Sequence, residues 1–122
     1  MALLSDGGFV VADAYNHRIK RYTAADSLAW MRPKGQNWAD STEGTFNVAT
    51  AVATGPNGHI FVADFYNHRI QEFTPDGQFV QAFGVKGRRE GQFDRPVDLA
   101  FDEEGRLFIV DFGNDRVQVF SP

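Results

Sequence analysis

The chain has 122 residues, 43% of them hydrophobic and 23% charged, with a net charge of −4 at pH 7; that length and balance fit one compact domain of about 100–150 residues. The acidic total argues against a surface that is basic throughout, as a general binder of nucleic acid or anionic lipid needs. With no cysteine in the sequence, disulfides, thiolate metal sites and cysteine nucleophiles are excluded, while the compartment stays open; no apolar run reaches the roughly 18 residues of a membrane span, and Met1-Ala2-Leu3-Leu4 meets Asp6 too soon for a signal peptide.

Twelve phenylalanines beside two methionines favour strands, because aromatic and β-branched side chains suit a pleated, half-buried surface. The first organised segment is Val10-Val11-Ala12-Asp13-Ala14-Tyr15-Asn16-His17-Arg18-Ile19. It returns as Phe61-Val62-Ala63-Asp64-Phe65-Tyr66-Asn67-His68-Arg69-Ile70 and again as Ile109-Val110-Asp111-Phe112-Gly113-Asn114-Asp115-Arg116-Val117. The steps from Asp13 to Asp64 and from Asp64 to Asp111 are 51 and 47 residues, close to the period of about 40–50 residues of propeller blades. The register extends outside the motif: Gly44-Thr45-Phe46 answers Gly91-Gln92-Phe93, and Gly7, Gly58 and Gly105 each stand six residues before a motif aspartate.

The second copy predicts four strands: Ala49 to Thr54, His59 to Ala63, Arg69 to Phe73 and Gln78 to Phe83. Gly55-Pro56-Asn57-Gly58, Asp64 to Asn67 and Thr74-Pro75-Asp76-Gly77 supply the turns, with asparagine as the residue that tolerates a left-handed backbone. A small sheet with two apolar faces cannot bury itself, and stacking around an axis is the solution. The expected fold is therefore all-β, a β-propeller segment of about three blades: blade 1 about 1–31, blade 2 about 48–84, and blade 3 about 96–122 without its last strand.

On the glycine, the Val-Ala-Asp strand end and the Asn-His-Arg-Ile that follows, the chain resembles the NHL-repeat family. The second copy fits that pattern throughout; the first has Tyr22-Thr23-Ala24-Ala25-Asp26 where Pro-Asp-Gly is usual, and the third has Asp115 in place of histidine. The resemblance implies a six-bladed ring, of which three blades are half. Met1 aligns with Val52 and Pro122 falls just after the third strand of its blade, leaving Val117-Gln118-Val119-Phe120 as an apolar edge. Self-association into a homodimer that completes the ring, or membership of a longer chain, is expected.

Alternating strand direction sorts residues between two faces. One collects Tyr15, His17, Tyr66 and His68 with the long loops from Arg32 to Phe46 and from Val85 to Arg95, which carry Arg32, Lys34, Trp38, Lys86, Arg88 and Arg89. The other carries Asp6, Asp76, Asp102, Glu103 and Glu104. The first face is thus locally basic, with aromatic rings for stacking, and is the expected binding surface.

The repeated Asp13, Asn16 and Arg18, with Asp64, Asn67 and Arg69, and Asp111, Asn114 and Arg116, read as a structural staple, since catalytic groups seldom recur in every blade. No catalytic residue, metal site or cofactor is assigned. The competing metal reading takes His17 and His68 as axial zinc ligands beside Tyr15 or Tyr66, as in propeller lyases that resemble the family, but the histidines belong to the repeat and His59 falls on the opposite face. Gly84-Val85-Lys86-Gly87 lacks the Ser/Thr and helix of a phosphate-binding loop. The expected function is a noncatalytic scaffold that binds a protein or other macromolecule through the loop face. The alternatives are part of a metal-dependent propeller lyase or hydrolase, or an RNA-binding face as in some NHL domains.

Overall fold

A computed structural model describes residues 1–121. Strands β1 (Ala2–Leu3), β2 (Phe9–Asp13), β3 (Arg18–Tyr22) and β4 (Leu28–Arg32) form one antiparallel meander. A second is built from β5 (Ala49–Thr54), β6 (Ile60–Asp64), β7 (Arg69–Phe73) and β8 (Phe79–Phe83), and a third from β9 (Pro96–Phe101), β10 (Leu107–Asp111) and β11 (Arg116–Phe120). These are three β-propeller blades, and among the described residues no helix is long and apolar enough to cross a membrane.

The turn chemistry sets the strand starts, and it moves two of them by a residue, while β6 runs one residue further than expected, to Asp64. Asn57 Oδ1 accepts the His59 N–H and Gly55 N–H bonds the His59 carbonyl, which keeps His59 in the turn, so β6 starts at Ile60. Gln78 is held in the same way by Thr74, and β8 starts at Phe79. The left-handed residue after β6 is also His68 rather than Asn67. A 3-10 turn, Phe65–Asn67, is closed by the His68 N–H on the Phe65 carbonyl, and reversing the chain there needs positive φ at the next position. His17, His68 and Asp115 all sit at φ 53°, within reach of the residue types that adopt this conformation most readily.

The apolar core lies between the sheets. Alternate side chains of one strand face opposite ways, so Ile60 and Val62 of β6 pack toward the first blade with Val10 and Ile19, while Ala63 joins Leu99, Leu107 and Ile109 of the third. Into each joint the connector between blades inserts a fully buried phenylalanine. Phe46 lies 5.9 Å from the Phe73 ring, and Phe93 lies 6.4 Å from Phe83 and 6.1 Å from Phe120. The second plug requires a glycine: at Gly84, φ is +105° and a Cβ would stand 2.5 Å from the Phe93 ring. Among the described residues nothing pairs with the free edge of β11, where Val117 and Val119 are exposed.

Phe46→Ala removes a plug that stacked sheets cannot collapse to fill, and is expected to cost about 3–5 kcal/mol. The expected result is a clearly lower urea midpoint, measured with fluorescence, than for an exposed control such as Val80→Ala.

Candidate interaction face

Each motif aspartate ends the second strand of its blade directly opposite the motif arginine that begins the third: Asp13 faces Arg18, Asp64 faces Arg69 and Asp111 faces Arg116. In the middle blade Arg69 Nε donates to Asp64 Oδ2 at 2.7 Å, Asn67 Nδ2 to both carboxylate oxygens at 3.2 and 3.1 Å, and Asn47 N–H to Oδ1 at 2.9 Å. The remainder of the guanidinium grips the incoming connector by its main chain. Nη1 donates to the Ser41 carbonyl at 2.9 Å and Nη2 to the carbonyls of Thr42 and Thr45, both at 3.0 Å, while Asn67 donates to the Asp40 carbonyl at 2.8 Å. Gln71 completes the grip, donating to the Thr45 carbonyl at 2.6 Å and accepting the Gly44 N–H at 2.8 Å.

The third blade repeats this with one bond fewer, Asn114 donating to Oδ2 of Asp111 alone. Arg116 Nε reaches Asp111 at 2.9 Å, its Nη groups hold the carbonyls of Arg88, Arg89 and Gln92 at 2.7, 2.9 and 3.0 Å, and Asn114 holds that of Gly87 at 2.8 Å. The two carboxylates share this geometry and full shielding from solvent, yet their pKa values are displaced in opposite directions from the ordinary carboxylate value. Burial dominates at Asp64, which has a blade on either side, and pushes its carboxyl up. At Asp111 burial also acts upward, but hydrogen bonds from Asn114, the Asp94 amide, Arg116 and Gln118 outweigh it where only one side is covered.

The histidines are engaged with main chain as well. Nδ1 of His17 accepts the Val48 N–H at 2.9 Å and Nδ1 of His68 accepts the Arg95 N–H at 3.0 Å. Val48 and Arg95 stand at φ 63° and 56°, a strained conformation for a β-branched valine, which these bonds help to hold. An amide can only donate, so Nδ1 is bare and the proton of the neutral ring lies on Nε2; a metal ion at Nε2 would need the lone pair that this proton occupies. Among the described residues no cluster of three or more His, Asp or Glu is placed for a metal. His59 lies apart, its Nδ1 2.6 Å from Glu72 Oε2.

The connectors rest on the turns that follow β6 and β10, so loops and turns share one face. On it Tyr15, Trp38 and Tyr66 are exposed at 88%, 59% and 54%, and Lys34, Lys86, Arg88 and Arg89 are also exposed. Arg32 turns elsewhere: stacked 5.1 Å from the Trp30 ring centroid, it donates Nε to the Gly77 carbonyl at 2.8 Å and ties β4 to the next blade. The positive charge therefore gathers on the second connector, where Lys86, Arg88, Arg89 and Arg95 face Glu90 and Asp94. Phe112 belongs to this surface although sequence reasoning missed it. Its counterpart Phe65 is covered by Tyr66 at 4.8 Å, whereas Gly113 offers no such cover and Phe112 lies open beneath the Arg95 guanidinium, 5.3 Å from its centroid. The column after the motif aspartate, Ala14, Phe65 and Phe112, carried the signal.

Three outcomes follow from this geometry. Arg69→Lys, which replaces a fork by a single point of charge and takes one donor from Asp64 and the donors from the carbonyls of Ser41 and Thr42, is expected to lower stability by about 2–4 kcal/mol in denaturant titration. Burial, helped by Lys86 and Arg95 and opposed by Asp94, lowers the His68 pKa below 6.5. Its stabilising share is then complete above pH 6.5 and lost as pH falls through the lower folded-state value, so melting temperature should fall less steeply between pH 7 and 5 in His68→Gln than in the natural chain. Added zinc should leave the melting temperature unchanged, as read by scanning calorimetry with and without chelator.

Comparison with known proteins agrees with the blades. The model of the NHL repeat matches residues 1–22, 46–73 and 93–120. Over 48 residues the chain is 44% identical to Protein brain tumor of Drosophila melanogaster, a stretch that is 39% of this chain and 5% of that protein. An auxiliary nutrient binding protein from Bacteroides thetaiotaomicron superposes with a TM-score of 0.67 at 20% identity, covering 87% of this chain and 32% of that one. Streptogramin B lyase gives 0.69 at 16% identity, covering 97% and 38%, and luciferin-regenerating enzyme 0.65 at 16%, covering 94% and 37%. At these identities the structural likeness is one of fold, and the chain spans only 32–38% of the length of these structures. With its repeat model matched in all three blades and over more than half its length, the chain belongs to the NHL repeat family.

Proposed function

We propose that this protein is an interaction module that holds a macromolecular partner on its connector face and brings no catalytic group of its own. The observation that carries this reading is the division of labour among its polar residues. In the second and third blades the repeated Asp, Asn and Arg bond one another and the backbone, and His17 and His68 bond the backbone, whereas Trp38, Lys86, Arg88 and Arg89 have no like residue at the matching position of the other connector and lie open beside the exposed rings of Tyr66 and Phe112. A rigid face of aromatic rings beside a basic loop suits an acidic or strand-like protein segment, with rings as anchors and arginines as adaptable polar contacts.

The test is a binding screen of acidic peptides and single-stranded RNA oligonucleotides. Ligands should be lost, at least tenfold in affinity, on Arg88→Ala with Arg89→Ala or on Tyr66→Ala, and kept on Glu103→Ala with Glu104→Ala on the other face. A steep fall with salt for RNA alone would move the partner class to nucleic acid. Ligands indifferent to the connector-face changes would refute the reading.

A further inference from the structure

The two joints differ at the end of the strands away from the connectors. At the first, Thr54 Oγ1 donates to the Leu3 carbonyl at 3.1 Å, and Arg21 Nη1 and Trp30 Nε1 both donate to the Pro75 carbonyl, at 2.9 and 3.3 Å. At the second, no hydrogen bond joins the blades at that end among the described residues; the bonds that Thr50 donates to the Pro96 carbonyl and the Arg95 N–H donates to His68 lie at the connector end. The side chains account for the difference. Strand positions that hold Val10 and Thr54 at the first joint hold Phe61 and Phe101 at the second, and a phenyl ring has no proton to donate to a carbonyl.

The two rings meet edge to face, with centroids 5.0 Å apart and planes at 65°. Both are half-buried and form the wall of a groove of about 430 Å³, with Pro56 and Asn57 on one bank and Gly105 on the other. It is bounded entirely by β6, β9 and the turns that follow β5 and β9. Gly55 lets the rings come this close to the first turn, since a Cβ there would stand 3.3 Å from each. The rim is acidic. Asp102, Glu103 and Glu104 are answered by Arg106 alone, whose Nε lies 2.6 Å from Asp102 and 3.6 Å from Glu104. Glu103 is exposed and has no ionic partner among the described residues, while Glu72, in the adjoining cleft, is already held by His59 and Gln81.

We infer that this groove docks an aromatic side chain of a separate protein, carried on a segment with lysine or arginine next to the ring. An aromatic guest adds an edge-to-face partner to a pair already in that arrangement. The neighbouring cations meet the acidic turn, where exposed charge supplies orientation and encounter rate. An acidic segment is repelled here and drawn to the basic connector face, so the two faces select partners of opposite charge. Occupancy of either surface is independent of the other.

The experiment is amide chemical-shift mapping of the isotope-labelled chain with millimolar Ser-Lys-Trp-Lys-Ser, against Ser-Lys-Ala-Lys-Ser and Ser-Glu-Trp-Glu-Ser. The first peptide should shift the amides of Asn57, Gly58, Glu103 and Glu104 and leave those of Arg88 and Arg89 in place, and the other two should shift none of the four. Phe101→Thr installs the residue that the second blade itself uses in this column, and should weaken the first peptide about fivefold or more. Glu103→Lys with Glu104→Lys alters only exposed side chains and should weaken it by a similar factor, the loss shrinking in high salt. Equal shifts with the alanine peptide, undiminished affinity in either variant, or shifts confined to the connector face overturn the inference. In sedimentation velocity of the chain alone, a dimer that Phe101→Thr dissociates seats a second copy in the groove and overturns the separate partner.

Discussion

One guanidinium per joint holds this stack of sheets together. A blade is a small meander with apolar surface on both sides, and its neighbour is reached through a loop with no secondary structure of its own. Left alone, such a loop would leave carbonyl groups unpaired against the sheet edge. The planar fork of Arg69 or Arg116 answers several of them at once while its Nε stays on a shielded carboxylate. Charge and hydrogen bonding support each other here: the aspartate orients the arginine, and the arginine makes burial of the aspartate tolerable. The apolar plug then sits where the clamp puts it.

The repeat made much of this legible. Three Asp-to-Arg segments at blade-like spacing implied the sheets, their order and the turn face, and the strand bounds of the second blade are off by a single residue at the starts of β6 and β8, where Asn57 and Thr74 hold His59 and Gln78 in the turns, and at the end of β6. What the sequence withheld lies in main-chain geometry. Nothing in the letters said that Val48 and Arg95 enter their strands through positive φ, or that histidine stands in the motif because its ring nitrogen accepts the amide of that residue in the next blade. The same blindness placed Arg32 on the loop face from its position at a strand end, whereas its side chain lies along Trp30 toward the turn at Gly77.

Repeated and unrepeated positions thus have different physical duties. Columns that recur, Asp, Asn and Arg with the plug phenylalanine, contact backbone or core in the second and third blades. Columns that vary, such as Tyr15, Tyr66 and Gly113, or Ala14, Phe65 and Phe112, face solvent or control whether a neighbour does. The basic second connector belongs to the variable set, and its side chains project because Arg116 pins the carbonyls of Arg88 and Arg89 from beneath.

That pinning has an evolutionary corollary. A clamp that recognises only peptide carbonyls is indifferent to which side chains ride above it, so residues such as Arg88, Arg89 and Trp38 can be exchanged with little penalty to folding. The loop behaves as a replaceable cassette on a fixed mount, and new specificity can be tried one residue at a time without reopening the architecture.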